Sequence, residues 1–172
     1  AVQVHENNDI SLNGQKLAAR AFRYMLINKP ANTLCSNVDG VYPSLFSLID
    51  VERPSELHIA GRLDADTTGL VLITDDGRWT FAITSPSGQC HKVYRVKLAK
   101  PIAADAGESF LQGIALQGEQ ELTLPAQLKR MFAAVGNKVV SLHRESIGAV
   151  SVDVAEGEWR YLSVDEVQSF YT

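Results

Sequence analysis

The sequence predicts an α+β domain built on a mixed, largely antiparallel sheet flanked by helices. Strand-like segments outnumber helical ones and the two do not alternate one for one, which argues against a doubly wound fold. Lys92–Leu98 alternates with a period of two, placing Val93, Arg95 and Lys97 on one face and Lys92, Tyr94, Val96 and Leu98 on the other, the pattern of a strand. Residues 22–28 and 70–74 are short apolar runs that stop at a proline or a turn, as buried strands do.

In chain order, residues 1–16 read as short extended pieces around an Asn13-Gly14 turn. Residues 22–28 form a strand stopped by Lys29-Pro30, because proline restricts the residue before it and cannot donate to a ladder. The strand at 70–74 is closed by Asp75-Asp76-Gly77, and residues 78–84 then read as a helix carrying Trp79 and Phe81. Residues 103–112 are helical in composition and end at Gly113. Residues 122–126 look strand-like and pass abruptly into a helix over 127–135, capped by Gly136. Residues 138–143, 149–154 and 158–162 are further strands, and a closing helix starts at Ser163, where Ser163 and Glu166 have capping-box spacing.

A chain of 172 residues and 18.8 kDa can bury roughly 70% of its unfolded surface in one core, so it needs no disulfide staple. With 45% hydrophobic and 21% charged residues it falls outside the disordered regime. The apolar run Gly69-Leu70-Val71-Leu72-Ile73 is far shorter than the roughly 18 residues that span a bilayer, and the first residues lack a basic, then apolar, leader. We therefore expect neither a membrane nor a secreted protein. Cys35 and Cys90 are far apart and the four histidines are scattered, which favours a reducing cytoplasm over a disulfide framework. A metal site around Cys90-His91 would need distant ligands, and no metal is expected.

The net charge of −4 argues, taken alone, against a nucleic-acid partner. The average misleads, because six of the acids lie from Glu145 onward against Arg160 alone. Residues 84–104 hold Lys92, Arg95, Lys97 and Lys100 without an acid, and residues 122–144 hold Lys129, Arg130, Lys138 and Arg144 without one. Brought together by folding, they would make a basic surface suited to a polyanion; as separate solvated faces they would do nothing of the kind.

The most informative stretch is Gly61-Arg62-Leu63-Asp64-Ala65-Asp66-Thr67-Thr68-Gly69-Leu70, leading through Val71-Leu72-Ile73 to Thr74-Asp75-Asp76-Gly77. An acid-rich loop before a buried strand puts carboxylates at the strand's entrance, partly desolvated but outside the core. On local grounds Asp64 can be a nucleophile, a general base, a metal ligand or a turn-forming residue.

Gly-Arg-Leu-Asp-x-x-Thr-x-Gly-Leu followed by Ile-Thr-Asp-Asp-Gly resembles the catalytic motif of RNA pseudouridine synthases. Further marks occur in the family's order. Residues 24–30 (YMLINKP) resemble its opening strand and corner, with Asn32 where a glycine is usual; Lys92-Val93-Tyr94 resembles its Lys-x-Tyr strand; residues 127–132 (QLKRMF) resemble a helix start; and residues 142–148 (LHRESIG) resemble a marker of the ribosomal RNA branch. The resemblance runs from about Phe22 to the end and implies a pseudouridine synthase catalytic domain over 21–172, with residues 1–20 a linker or remnant of an RNA-binding domain. It implies an isomerase acting on small-subunit (16S) ribosomal RNA within the assembling ribonucleoprotein, working as a monomer in the cytoplasm without a cofactor. In the family a strand pair separates Thr-x-Pro-Ala from the helix, whereas Ala126 here meets Gln127 directly. We expect a flexible hairpin between Ala126 and Gln127 that the sequence lacks, because connections usually take several residues.

The resemblance assigns the reacting carboxylate to Asp64, which attacks the ribose anomeric carbon or removes a ribose proton. Lys129 is its cation, Tyr94 supplies a stacking face and a hydroxyl, and Arg62 fills the gap left by a flipped nucleotide. Lys92 and Arg130 join Arg62 as RNA-binding residues. A lysine in the first turn of a helix opposes the macrodipole, so Lys129 asks for a reason beyond solvation. Asp66, Asp75 and Asp76 read as loop and turn formers. Two rivals remain. Asp64-x-Asp66-x-Thr68 also matches the motif of haloacid-dehalogenase-like phosphatases, but there the apolar strand precedes the first aspartate. The alternative from another class is a non-catalytic RNA-binding or ribosome-assembly module, against which Asp64, Tyr94 and Lys129 together speak.

Overall fold

The computed structural model describes residues 10–17, 21–85, 90–102 and 124–171. The helix expected at 103–112 lies outside them, as do residues 122 and 123 of the strand-like stretch. Strands β1 (Ile10–Leu12) and β2 (Gln15–Leu17) make the expected hairpin. Its turn residues Asn13 and Gly14 have φ of 51° and 80°, the left-handed pair that an Asn-Gly hairpin turn uses.

The main sheet contains β3 (Tyr24–Lys29), β4 (His58–Ala60), β5 (Thr68–Thr74), β6 (Lys92–Leu98), β7 (Val139–Ile147), β8 (Val150–Ser151) and β9 (Trp159–Tyr161). Its order is β6-β7-β5-β3-β9, with β4 on β5 and β8 on β7. All pairings are antiparallel except β5 with β7, which is the mixed, largely antiparallel α+β class expected. Sequence reasoning missed β4 because His58-Ile59-Ala60 is too short to show a period.

Period-two alternation sends β3 and β5 side chains to two cores. Met25, Ile27, Val71 and Ile73 pack on one face with Leu45, Phe46, Ile49 and Leu57 from the long segment after β3 and with Leu63 from the loop after β4. Leu26, Leu70 and Leu72 pack on the other face with Trp79 and Ile83 of α1 (Gly77–Thr84) and with Val167. Asp76 caps α1 by accepting from the backbone N–H of Arg78 and Trp79, so the acidic turn after β5 starts the helix. Trp79 is fully buried and donates its Nε1–H to the Val167 carbonyl at 3.1 Å, whereas Phe81 is 70% exposed.

Helix α2 spans Leu124–Ala134 and runs through both Ala126 and Gln127. Residues 124–126 are therefore helical rather than extended, a correction with a consequence for the site. Gly136 follows α2 with φ 79° as the expected stop. The closing helix α3 (Val164–Gln168) opens on the anticipated capping box between Ser163 and Glu166. Arg160 chelates the same carboxylate at 2.8 and 2.9 Å and, with the Ser163 N–H, holds Glu166 down at about 2.

Candidate active site

The loop between β4 and β5 is built against two buried cations. Lys29, the last residue of β3, shares the inward face of Met25 and Ile27 and is fully buried. Its ammonium donates to the carbonyls of Thr67 (2.7 Å), Ala65 (3.0 Å) and Pro30 (3.1 Å). Burial pushes it below its ordinary range, opposed by the negative potential of Cys35, Asp66 and Asp64. Asn32, with φ 61°, donates its N–H to the Ala65 carbonyl at 2.8 Å. The left-handed geometry explains why glycine suits this corner and why asparagine can replace it.

Arg144 of β7 is the second cation, 1% exposed. Along one edge of β5, β4 pairs Leu72–Thr74 and β7 pairs Thr68 and Gly69. Between them Arg144 donates Nε–H to the Leu70 carbonyl at 2.8 Å and Nη2–H to the Gly61 carbonyl at 2.7 Å. The fork thus closes the gap where β4 leaves the sheet and β7 joins it, tying both ends of the 61–70 loop. Thr68 Oγ1 and His143 Nδ1, 2.8 Å apart, add a side-chain link across the same parallel pair.

On this base Leu63 is buried in the core, Arg62 is exposed, and the Asp64 side chain is 29% exposed. The Lys129 ammonium lies 3.8 Å from Asp64 Oδ2. Its nearer partner is Asp66, whose two carboxylate oxygens accept from it at 2.9 and 3.0 Å. Asp66 was expected to serve only the loop; it bridges loop to helix. Because α2 starts at Leu124, Lys129 stands in the second turn, where the macrodipole has little effect. The carboxylates, rather than relief from the dipole, account for its place.

Tyr94 pairs with Arg144 across β6 and β7 and packs against the core that contains Leu63. Its hydroxyl is buried near the Arg144 guanidinium but outside hydrogen-bond geometry to it. Lys92 is held elsewhere, donating to the carbonyls of Cys90 (3.2 Å) and Ile83 (3.4 Å) at the end of α1. The structure thus brings Asp64, Asp66 and Lys129 together over Lys29, and ties the neighbouring Tyr94 to the same loop through Arg144. Arg130 follows Lys129 on α2. Lys29 and Arg144 escaped sequence reasoning as site residues, although each continues a period-two row of buried positions, 25-27-29 and 142-144.

A partly exposed carboxylate on an anchored loop, with an ammonium 3.8 Å away, suits nucleophilic or acid–base chemistry on a sugar or base. A family model for RNA pseudouridylate synthase matches residues 23–141, and the chain belongs to that family. It is an isomerase acting on RNA. Among its relatives, ribosomal small subunit pseudouridine synthase A of Vibrio vulnificus is 46% identical over 195 aligned positions, covering 99% of this chain and 84% of that protein. The Escherichia coli (strain K12) protein of the same name is 42% identical over 98% of this chain and 83% of its own length. A crystal structure of a pseudouridylate synthase matches with a TM-score of 0.80 and 40% identity, covering 98% of this chain and 83% of that one.

Proposed function

We propose that this chain isomerises a specific uridine of small-subunit ribosomal RNA to pseudouridine, with Asp64 as the reacting carboxylate. The observation that carries the reading is Asp64 held on an anchored loop with an ammonium 3.8 Å from Oδ2; the names of the relatives supply the RNA class. The reaction breaks the bond between ribose and the uracil nitrogen, turns the base and rejoins it through carbon 5. Asp64 enters by attack on the anomeric carbon or by removal of a ribose proton. Tyr94 offers its ring as a wall for the detached base, and Arg62, exposed two residues before Asp64, fills the vacated stack. Arg130 contributes to phosphate binding. The intrachain bonds of Lys92 leave it a smaller share than its sequence position implied. With ribosomal RNA as substrate the place of action is the cytoplasm; among the described residues no helix is long and apolar enough to cross a membrane.

RNA tritiated at uracil carbon 5 tests the proposal, because isomerisation releases that hydrogen. Tritium release is expected, at the same rate with and without EDTA, since the proposed steps need no Lewis acid. RNA binding without release would favour the non-catalytic module. Loss of release in EDTA, restored by magnesium, would show that the proposed metal-free steps do not account for the reaction.

We also propose that a hairpin belongs between Ala126 and Gln127. Support comes from the relatives, whose alignment spans 195 positions against the 172 residues here, so they carry internal residues this chain lacks. With the hairpin in place α2 would begin at about Gln127 and Lys129 would stand in its first turn, its two carboxylate partners then offsetting the macrodipole. A protein mass above 18.8 kDa, with extra peptides mapping between residues 126 and 127, is expected; direct peptide linkage of the two would refute it.

A further inference from the structure

We propose that Asp66 is a positioning residue for the isomerisation, acting through Lys129: it holds the ammonium beside Asp64 without letting it bond to the reacting oxygen. The inference rests on the role proposed above for Asp64.

The geometry divides one lysine unequally between two carboxylates. Both oxygens of Asp66 accept from Nζ at 2.9 and 3.0 Å, whereas Asp64 Oδ2 stands at 3.8 Å, an ion pair beyond hydrogen-bond length. A reacting carboxylate gains from a neighbouring positive charge, but a direct charge-assisted bond would occupy the lone pair it must use. Chelation by Asp66 provides the first without the second. Without Asp66, the flexible lysine stem is left either to collapse onto Asp64 or to swing into solvent, and each costs turnover. Lys29 offers no substitute, because its three carbonyl partners hold it beneath the loop.

Exposure separates the two acids as well. The Asp66 side chain is 70% exposed against 29% for Asp64, so Asp66 lies on the side from which a polyanion approaches. Its charge repels phosphate, and substrate binding gains nothing from it. A residue that opposes binding yet chelates the site lysine is expected to act on kcat and not on KM.

The competing explanation is local. Thr67 donates its N–H to the Asp64 carbonyl at 3.0 Å, closing a turn with Ala65 and Asp66 at its centre, and aspartate is a common turn former. Asparagine would preserve that role, and glutamate would not. Positioning through charge ranks the two substitutions the other way.

The experiment measures kcat and KM by tritium release from a transcript of small-subunit ribosomal RNA, using the full chain. Asp66→Asn is expected to lower kcat at least about fivefold without raising KM, and Asp66→Glu to recover most of the loss. Both variants are expected to keep the native thermal midpoint. A smaller loss, a loss confined to KM, a glutamate variant no better than asparagine, or a lowered midpoint would each overturn the inference. Asp64→Asn is run alongside: if it stays active, the role of Asp64 fails by itself, a result distinct from any at Asp66.

Discussion

Asp64→Asn is expected to lower turnover by at least about 10³-fold, the scale of loss when a reacting carboxylate becomes an amide. The substitution keeps size and shape and removes charge and nucleophilicity. The loop should hold its course, because its anchors are backbone carbonyls: Gly61 and Leu70 on Arg144, Ala65 and Thr67 on Lys29. RNA affinity should therefore stay within about twofold of native, or tighten slightly as a negative charge leaves an RNA-facing surface. Single-turnover tritium release with saturating enzyme measures the first quantity, and filter binding of the same RNA the second. More than about a tenth of native turnover in this variant would show that Asp64 is not the reacting group.

The parts of the fold legible in the sequence are those governed by local pattern. Lys92–Leu98 matches its strand bounds because each residue alternates strictly between faces, and the Ser163–Glu166 box marks the start of α3 by spacing alone. The Gly61–Gly69 loop announced a candidate site through its acids and glycines. What stayed hidden depends on partners distant in sequence. Arg144 belongs in the sequence to a basic run and to the LHRESIG marker, and neither tells that its fork fills a break in the sheet between residues 61 and 70. No local signal at residue 144 carries that, since the need arises only once β4 and β7 share an edge of β5. Lys29 looked like the end of a strand, and its burial follows from where the 65–67 carbonyls turn. Asp66 was misjudged because a turn role and a chelating role require the same residue type; only the position of α2 distinguishes them. With residues 126 and 127 joined, α2 runs back through Pro125, because proline suits a helix's first turn as readily as a loop.

The largest stability loss is expected at Gly69, where the close approach of β5 and β7 holds the site's scaffold together. Gly69 has φ 111°, a conformation L side chains rarely adopt, and a Cβ built there would lie 2.2 Å from the Arg144 carbonyl oxygen, 2.6 Å from its nitrogen and 2.9 Å from its carbonyl carbon. Every atom in that clash is backbone, so no side chain can rotate away. Gly69→Ala must separate the parallel pair, and with it move the Arg144 fork that joins Gly61 to Leu70 and the Thr68–His143 link. Overpacking and backbone strain together predict a loss of about 3 kcal/mol or more, which for a chain of this size lowers the thermal midpoint by roughly 10 °C. Gly136→Ala supplies the internal comparison: Gly136 also has a positive φ, 79°, but nothing lies within 4 Å of its added Cβ. That variant carries strain without collision and should lose only about 1 kcal/mol. Urea midpoints of the two proteins measured together isolate the collision. A Gly69→Ala protein no less stable than Gly136→Ala would mean that β5 and β7 do not approach as closely as described, and that the Arg144 fork is not what fixes the Asp64 loop.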